Sequence, residues 1–188
     1  MTAVDRMPPL AAAAMSAAQK KAAEELAAGP RGGVKGPFIP LLRSPELMDR
    51  LQKVGEYLRF RSSLEPRLSE LLMLVVSRQW TQQFEWGVHV PLALKAGVKQ
   101  ETVQSLAEGR RPVGMAADEA IAYDFCDELM RNKGVCEATY RTAVERFGEH
   151  GVIDMIGLAG YFTTVSMVMN VAHTPAQGDS EGLKPLPL

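Results

Sequence analysis

Glu85 and His89 stand four residues apart in the segment Gln82-Gln83-Phe84-Glu85-Trp86-Gly87-Val88-His89. On a helix that spacing puts the carboxylate and the imidazole on one face, a turn apart. A neighbouring anion favours the protonated imidazole, and histidine changes charge near neutral pH, so such a pair is suited to general acid–base work. A third acid, Glu70, lies one helix earlier. The chain has three histidines; His150, in a Gly-flanked turn, and His173, near the tail, read as exposed or structural. Arg78, Gln82, Glu85 and His89 step by four, three and four, which on one helix would form a polar stripe in apolar surroundings. The same spacing also describes an ordinary solvated Glu–His pair, and spacing alone leaves both readings open. Glu85, His89 and Glu70 could also share a metal ion. The chain carries no HExxH and no Cys/His cluster, so no metal site is assigned.

The elements that must position these residues are helical. Ser16 to Ala28 is Ala-rich and ends at Gly29-Pro30-Arg31-Gly32-Gly33. Gly36 to Pro40, with two prolines, is expected to be extended or turning. Residues 1–40 therefore read as an arm, with Phe38 and Ile39 docking on the body. Ser44-Pro45-Glu46 starts a helix, along which Leu47, Leu51, Val54 and Leu58 recur at helical spacing. Pro66 opens the next, with a break expected between Arg78 and Thr81. The helix of Glu85 and His89 is expected over 81–95, capped by Gly97, with Pro91 inside it facing the carbonyl of Gly87. Further helices are expected over 100–107, 118–132 (capped by Gly134), 137–147 and 152–172. Periodicity shows no alternation of the β type. The expectation is an all-α bundle of seven or eight helices over residues 41–173, followed by an extended tail, 174–188.

Composition narrows the class. With 188 residues one domain with a sizeable core is expected, and the net charge of −1 supplies no basic field for nucleic acid. Cys126 and Cys136 form no CxxC and no disulfide framework, which points to a reducing cytoplasm. The longest apolar stretch, 156–172, contains Gly157, Gly160, Thr163, Thr164, Ser166 and Asn170. It reads as a core or subunit-interface helix rather than a membrane span.

Glu70, then Gln82-x-x-Glu85-x-x-x-His89, then Ala93 and Gly97, resembles the carboxymuconolactone decarboxylase family, which shares a fold with the AhpD-type alkylhydroperoxidases. Phe84-Glu85-Trp86-x-x-His89 is similar to the YEWxxH form of the decarboxylase branch. The resemblance extends more weakly over residues 36–173, through Gly36-Pro37-Phe38 and through Gly160-Tyr161-Phe162. Where the peroxidase branch carries CxxC this chain has Gln82 and Glu85, so thiol peroxidase chemistry lacks its nucleophile and resolving partner. The resemblance implies an AhpD-like single-domain bundle with an N-terminal arm. It further implies a cofactor-independent decarboxylase for a small carboxylated lactone or related acid of aromatic catabolism, assembled as a homotrimer or homohexamer. His89, Glu85 and Glu70 are the catalytic candidates. Gln82 and Trp86 are expected to line the substrate pocket, and Arg78 to clamp a carboxylate, in competition with Arg43, Arg59, Arg61 and Arg67. A non-catalytic ligand-binding or structural homo-oligomer of the same fold, and a metal-dependent lyase or hydrolase, stand as alternatives.

Overall fold

Proline and glycine punctuate a chain whose described residues are mostly helical. The computed structural model describes residues 4–176 and 182–185; residues 177–181 and 186–188 of the expected tail lie outside them. Among the described residues there are eight α-helices and no strand: α1 (Ala17–Ala28), α2 (Phe38–Leu41), α3 (Pro45–Phe60), α4 (Pro66–Gln79), α5 (Gln83–Ala96), α6 (Gln100–Ala107), α7 (Ala117–Asn132) and α8 (Glu137–Ala172). The all-α expectation holds.

α4 is the central helix. Every residue from Leu71 to Arg78 is buried, and the helix packs against α5, α7 and α8. A side chain such as Leu71, Leu72 or Leu74 fully removed from water contributes about 2 kcal/mol. At its start, Arg67 bonds Asp118 and Glu119 at the start of α7, each at 2.8 Å. α8 bends at Gly148 (φ 67°), which separates the two helices expected there. Its second part buries Met155, Leu158, Phe162, Val165 and Met169, as a core helix would. It also leaves Ile153, Ile156, Met167 and Val171 exposed.

Gly36 to Pro40 turns: Phe38–Leu41 makes one helical turn, which its prolines permit because first-turn N–H groups have no intrahelical partner. Two local expectations are corrected. On α3 the buried face is Met48, Gly55 and Leu58, while Leu47 and Val54 are exposed. α7 ends on Lys133 in the left-handed region (φ 64°), one residue before Gly134.

The arm folds back on its own chain. α1 packs on α3, and Ala22, Leu26, Phe38, Leu41, Leu42 and Met48 form a second apolar cluster. Gly36 (φ 55°) lies flat against Phe84: a Cβ there would overlap the Phe84 ring, so glycine is required for both space and backbone angle. The described part of the tail also docks. Leu183 exchanges two hydrogen bonds with the Gln83 side chain, each 2.7 Å, at the start of α5.

Candidate active site

The chain breaks between α4 and α5 at Trp80 to Gln82, with Thr81 at φ 47°. Gln82 is the N-cap of α5. Its carbonyl oxygen accepts from the backbone N–H of Phe84 (2.6 Å) and Glu85 (3.2 Å), and its amide donates to Asn170 Oδ1 of α8 (3.0 Å). Asn170 in turn donates to the Trp80 carbonyl (2.9 Å). The connection is therefore tied to α8, and the first turn of α5 is fixed against α4.

This geometry brings Glu70, Glu85 and His89 together. His89 is 1% exposed. Its Nδ1 lies 2.6 Å from Glu70 Oε2 across the α4–α5 interface, and its Nε2 lies 3.2 Å from Glu85 Oε2 one turn back on α5. Phe162 of α8 packs edge-on against the imidazole, with centroids 5.2 Å apart. Both ring nitrogens thus face carboxylates and the ring plane is held. Burial pushes the His89 pKa down, but hydrogen bonds and charge from Glu70 and Glu85 outweigh it, and the net direction is up.

Glu85 and His89 open onto a cavity of about 290 Å³. Arg31, Lys35 and Phe38 of the arm, Arg59 of α3, and Tyr161 and Phe162 of α8 contribute to its wall. Arg31 stacks over the Phe38 ring, 4.6 Å from its centroid. Among the described residues, Arg31 Nε and Nη2, and Arg59 Nε, are buried without a hydrogen-bond partner. Burial pulls the Arg31 guanidinium below its ordinary range, while the nearby Tyr161 and Glu85 push it back up. Burial raises the Tyr161 phenol, keeping it protonated as a donor, with Arg31 opposing. Gly55 makes this crowding possible: a Cβ there would overlap the Tyr161 phenol and come within 2.7 Å of Arg31 Nη2. One wall of the cavity can hand over or accept a proton, and its cationic residues can hold an anion.

Three expected pocket residues lie elsewhere. Arg78 and Gln82 do not share a helical stripe with Glu85 and His89, because the break at Trp80 to Gln82 separates α4 from α5. Gln82 is occupied as the cap, and Trp86 is packed in the main core. Arg78 borders a different cavity. The cations near His89 are instead Arg31, Lys35 and Arg59, of which Arg59 alone was among the sequence candidates. Arg31 and Lys35 come from the glycine-rich arm, where no periodicity marks them. His150, beside Tyr57 Oη (3.1 Å), and His173, whose Nδ1 lies 3.3 Å from the Val4 carbonyl, do not line the His89 cavity.

No cysteine lines this cavity. Cys126 is buried among apolar residues, its thiol pushed up to about 12 by desolvation, and Cys136 is exposed at the start of α8. Among the described residues no group of three His, Cys, Asp or Glu side chains is arranged as a metal site.

Residues 45–123 match the carboxymuconolactone decarboxylase family, a stretch that includes Arg59, Glu70, Glu85 and His89. The fold is similar to the crystal structure of an alkylhydroperoxidase AhpD core, an uncharacterized peroxidase-related protein from Ralstonia eutropha JMP134. The TM-score is 0.71 at 15% identity, with 88% of each chain covered. No curated protein matches the chain. The family resemblance and AhpD-like fold inferred from Glu70 through His89 are therefore sound.

Proposed function

We propose that this chain is a cofactor-independent carboxy-lyase acting on a small carboxylated lactone or related acid, with His89 as the proton donor. One observation carries the reading: an imidazole bracketed by two carboxylates opens onto a cavity lined by Arg31 and Arg59, whose Nε atoms have no hydrogen-bond partner among the described residues. The family match over residues 45–123 supports the reaction class.

In a γ-carboxylated butenolide the bond from the ring carbon to the carboxylate breaks and CO2 leaves. The electron pair moves through the ring alkene onto the lactone carbonyl oxygen. The substrate supplies its own electron sink, so the protein has three tasks: to hold the acid, to stabilise the developing enolate oxygen, and to return one proton to carbon. Decarboxylation consumes one proton and releases one CO2. A cation bound tightly to the departing carboxylate would stabilise the reactant, so Arg31 and Arg59 are assigned to the enolate oxygen or to a second acidic group. Tyr161, on the same wall, adds a neutral donor. His89, whose protonated form Glu70 and Glu85 favour, gives its Nε2 proton to carbon; Glu85 stands beside that nitrogen at the cavity and Glu70 fixes the ring from the other side.

Thiol peroxidase chemistry would need a cysteine near His89, and the cavity wall has none. We further propose that copies of the chain associate. The exposed stripe Ile153, Ile156, Met167 and Val171 on α8 is a suitable interface.

A screen of γ-carboxylated butenolides and other small carboxylic acids for CO2 release tests the reading. At least one should be turned over by the wild-type protein and not by His89→Ala. Release from none of them, with anions still bound in the cavity, would favour a binding protein that kept the fold.

A further inference from the structure

α4 also borders a second cavity, of about 310 Å³, whose wall includes Arg78, Gln79, Arg110, Tyr123, Asp127 and Arg131. None of these residues touches the His89 cavity. Arg78 is the unusual member. It is 4% exposed, and its Nε, Nη1 and Nη2 are all buried with no hydrogen-bond partner among the described residues. Leaving one guanidinium both uncompensated and unbonded inside a protein is strongly unfavourable unless something supplies the missing acceptors.

The described residues do not supply them. Asp127, the one carboxylate among the described residues of the wall, is taken by Arg131 Nε (3.0 Å) and by Gln79 Nε2 (3.1 Å). Arg110 is bonded to Glu108. With Arg131 paired to Asp127 and Arg110 to Glu108, Arg78 is left, among the described residues, as the arginine of the wall without a counter-charge. A guanidinium presents its N–H groups as a planar fork that fits the paired oxygens of a carboxylate or phosphate. The cavity volume admits a molecule of several heavy atoms.

We propose that this second cavity binds a small oxyanion, a carboxylate or a phosphate, through a bidentate contact from Arg78, with Arg110 and Arg131 as accessory cations. Burial pulls the Arg78 pKa below its ordinary range, the direction expected of a cation whose acceptor is absent. The site is independent of the chemistry assigned to His89.

The test uses the full chain carrying Arg31→Met and Arg59→Met, which removes two cations of the first cavity. Inorganic phosphate and succinate are titrated separately at low ionic strength, by calorimetry and by thermal denaturation. One or both should bind and raise the denaturation temperature, and the tighter of the two identifies the source. Adding Arg78→Met should weaken that binding by about tenfold or more and abolish the thermal shift. If Arg78→Met does not fold, Arg78→Lys, which keeps the charge and loses the fork, should weaken binding by a similar factor. Binding that ignores Arg78, or no binding of either anion, overturns the proposal. So does an Arg78→Met variant that changes oligomeric state with no dependence on anion, since the acceptor would then be a carboxylate of a second copy.

Discussion

Glu70 Oε2 and His89 Nδ1 meet at 2.6 Å across the interface between α4 and α5. Nineteen residues separate them in the chain, and the contact exists because the Gln82 cap and its tie to Asn170 set one helix against the other. In the proposed mechanism Glu70 therefore acts through His89: it orients the ring and helps to hold its proton.

Glu70→Gln should lower the His89 pKa and move the alkaline limb of the kcat profile to lower pH, with KM little changed. Because the folded-state pKa of His89 is raised, its contribution to stability is complete below the ordinary imidazole value of 6.5. It is lost as pH climbs through the folded value. Denaturation midpoints measured from pH 6.5 upward should fall in the wild type and stay flatter in His89→Gln. A flat wild-type curve would mean that His89 carries no elevated pKa.

Gly55→Ala should destabilise the protein although alanine is the better helix former by about 1 kcal/mol. The added methyl displaces Tyr161 and Arg31, and overpacking of this kind costs about 1–3 kcal/mol. Urea denaturation measures the net loss. If the variant equals or exceeds the wild type in stability, Tyr161 is not held as tightly as the packing implies.

Gln82→Ala should lower stability by about 1–2 kcal/mol, through the lost cap and the lost bond to Asn170. It should lower kcat through misplacement of Glu85 and His89 more than it raises KM. A selective rise in KM would instead make Gln82 a substrate contact.

Asp154 anchors the turn after α3. It accepts from Ser63 N–H (2.7 Å), Ser63 Oγ (2.8 Å) and Tyr57 Oη (3.1 Å). Burial opposes ionisation, but these bonds prevail and its pKa is lowered. Its stabilisation is therefore present above the ordinary carboxylate value of 3.8 and disappears as pH falls through the folded value. Asp154→Asn should cost about 1–3 kcal/mol at pH 7 and blunt the acid limb of the stability profile. Equal acid limbs for the two proteins would contradict this assignment.

Much of the fold and the Glu85–His89 pair could be read from the chain because the signals are local. Helix starts at Pro45 and Pro66 and the stop at Gly97 follow from backbone chemistry. The pairing of Glu85 with His89 follows from helical pitch. The inward face of α3 is only partly legible for a physical reason: Leu58 is buried and Leu51 half-buried as expected, but Gly55 is buried against Tyr161 and gives no apolar signal, while Leu47 and Val54 face water. Arg78 fits the four-three-four stripe only if one helix runs through the break expected between Arg78 and Thr81, and Gln82 sits at the α5 N-cap, where its side chain turns back to the backbone. Arg31 and Lys35 reach the cavity by tertiary folding of the arm, which no spacing rule encodes.

The most direct test of the central claim is turnover of one γ-carboxylated butenolide by wild type and by His89→Gln, followed as CO2 release, with folding checked by circular dichroism and ligand binding checked separately. Loss of a general acid should lower kcat by about 10²–10⁴-fold while the variant still folds and binds. A folded His89→Gln protein that releases CO2 at the wild-type rate would contradict the account.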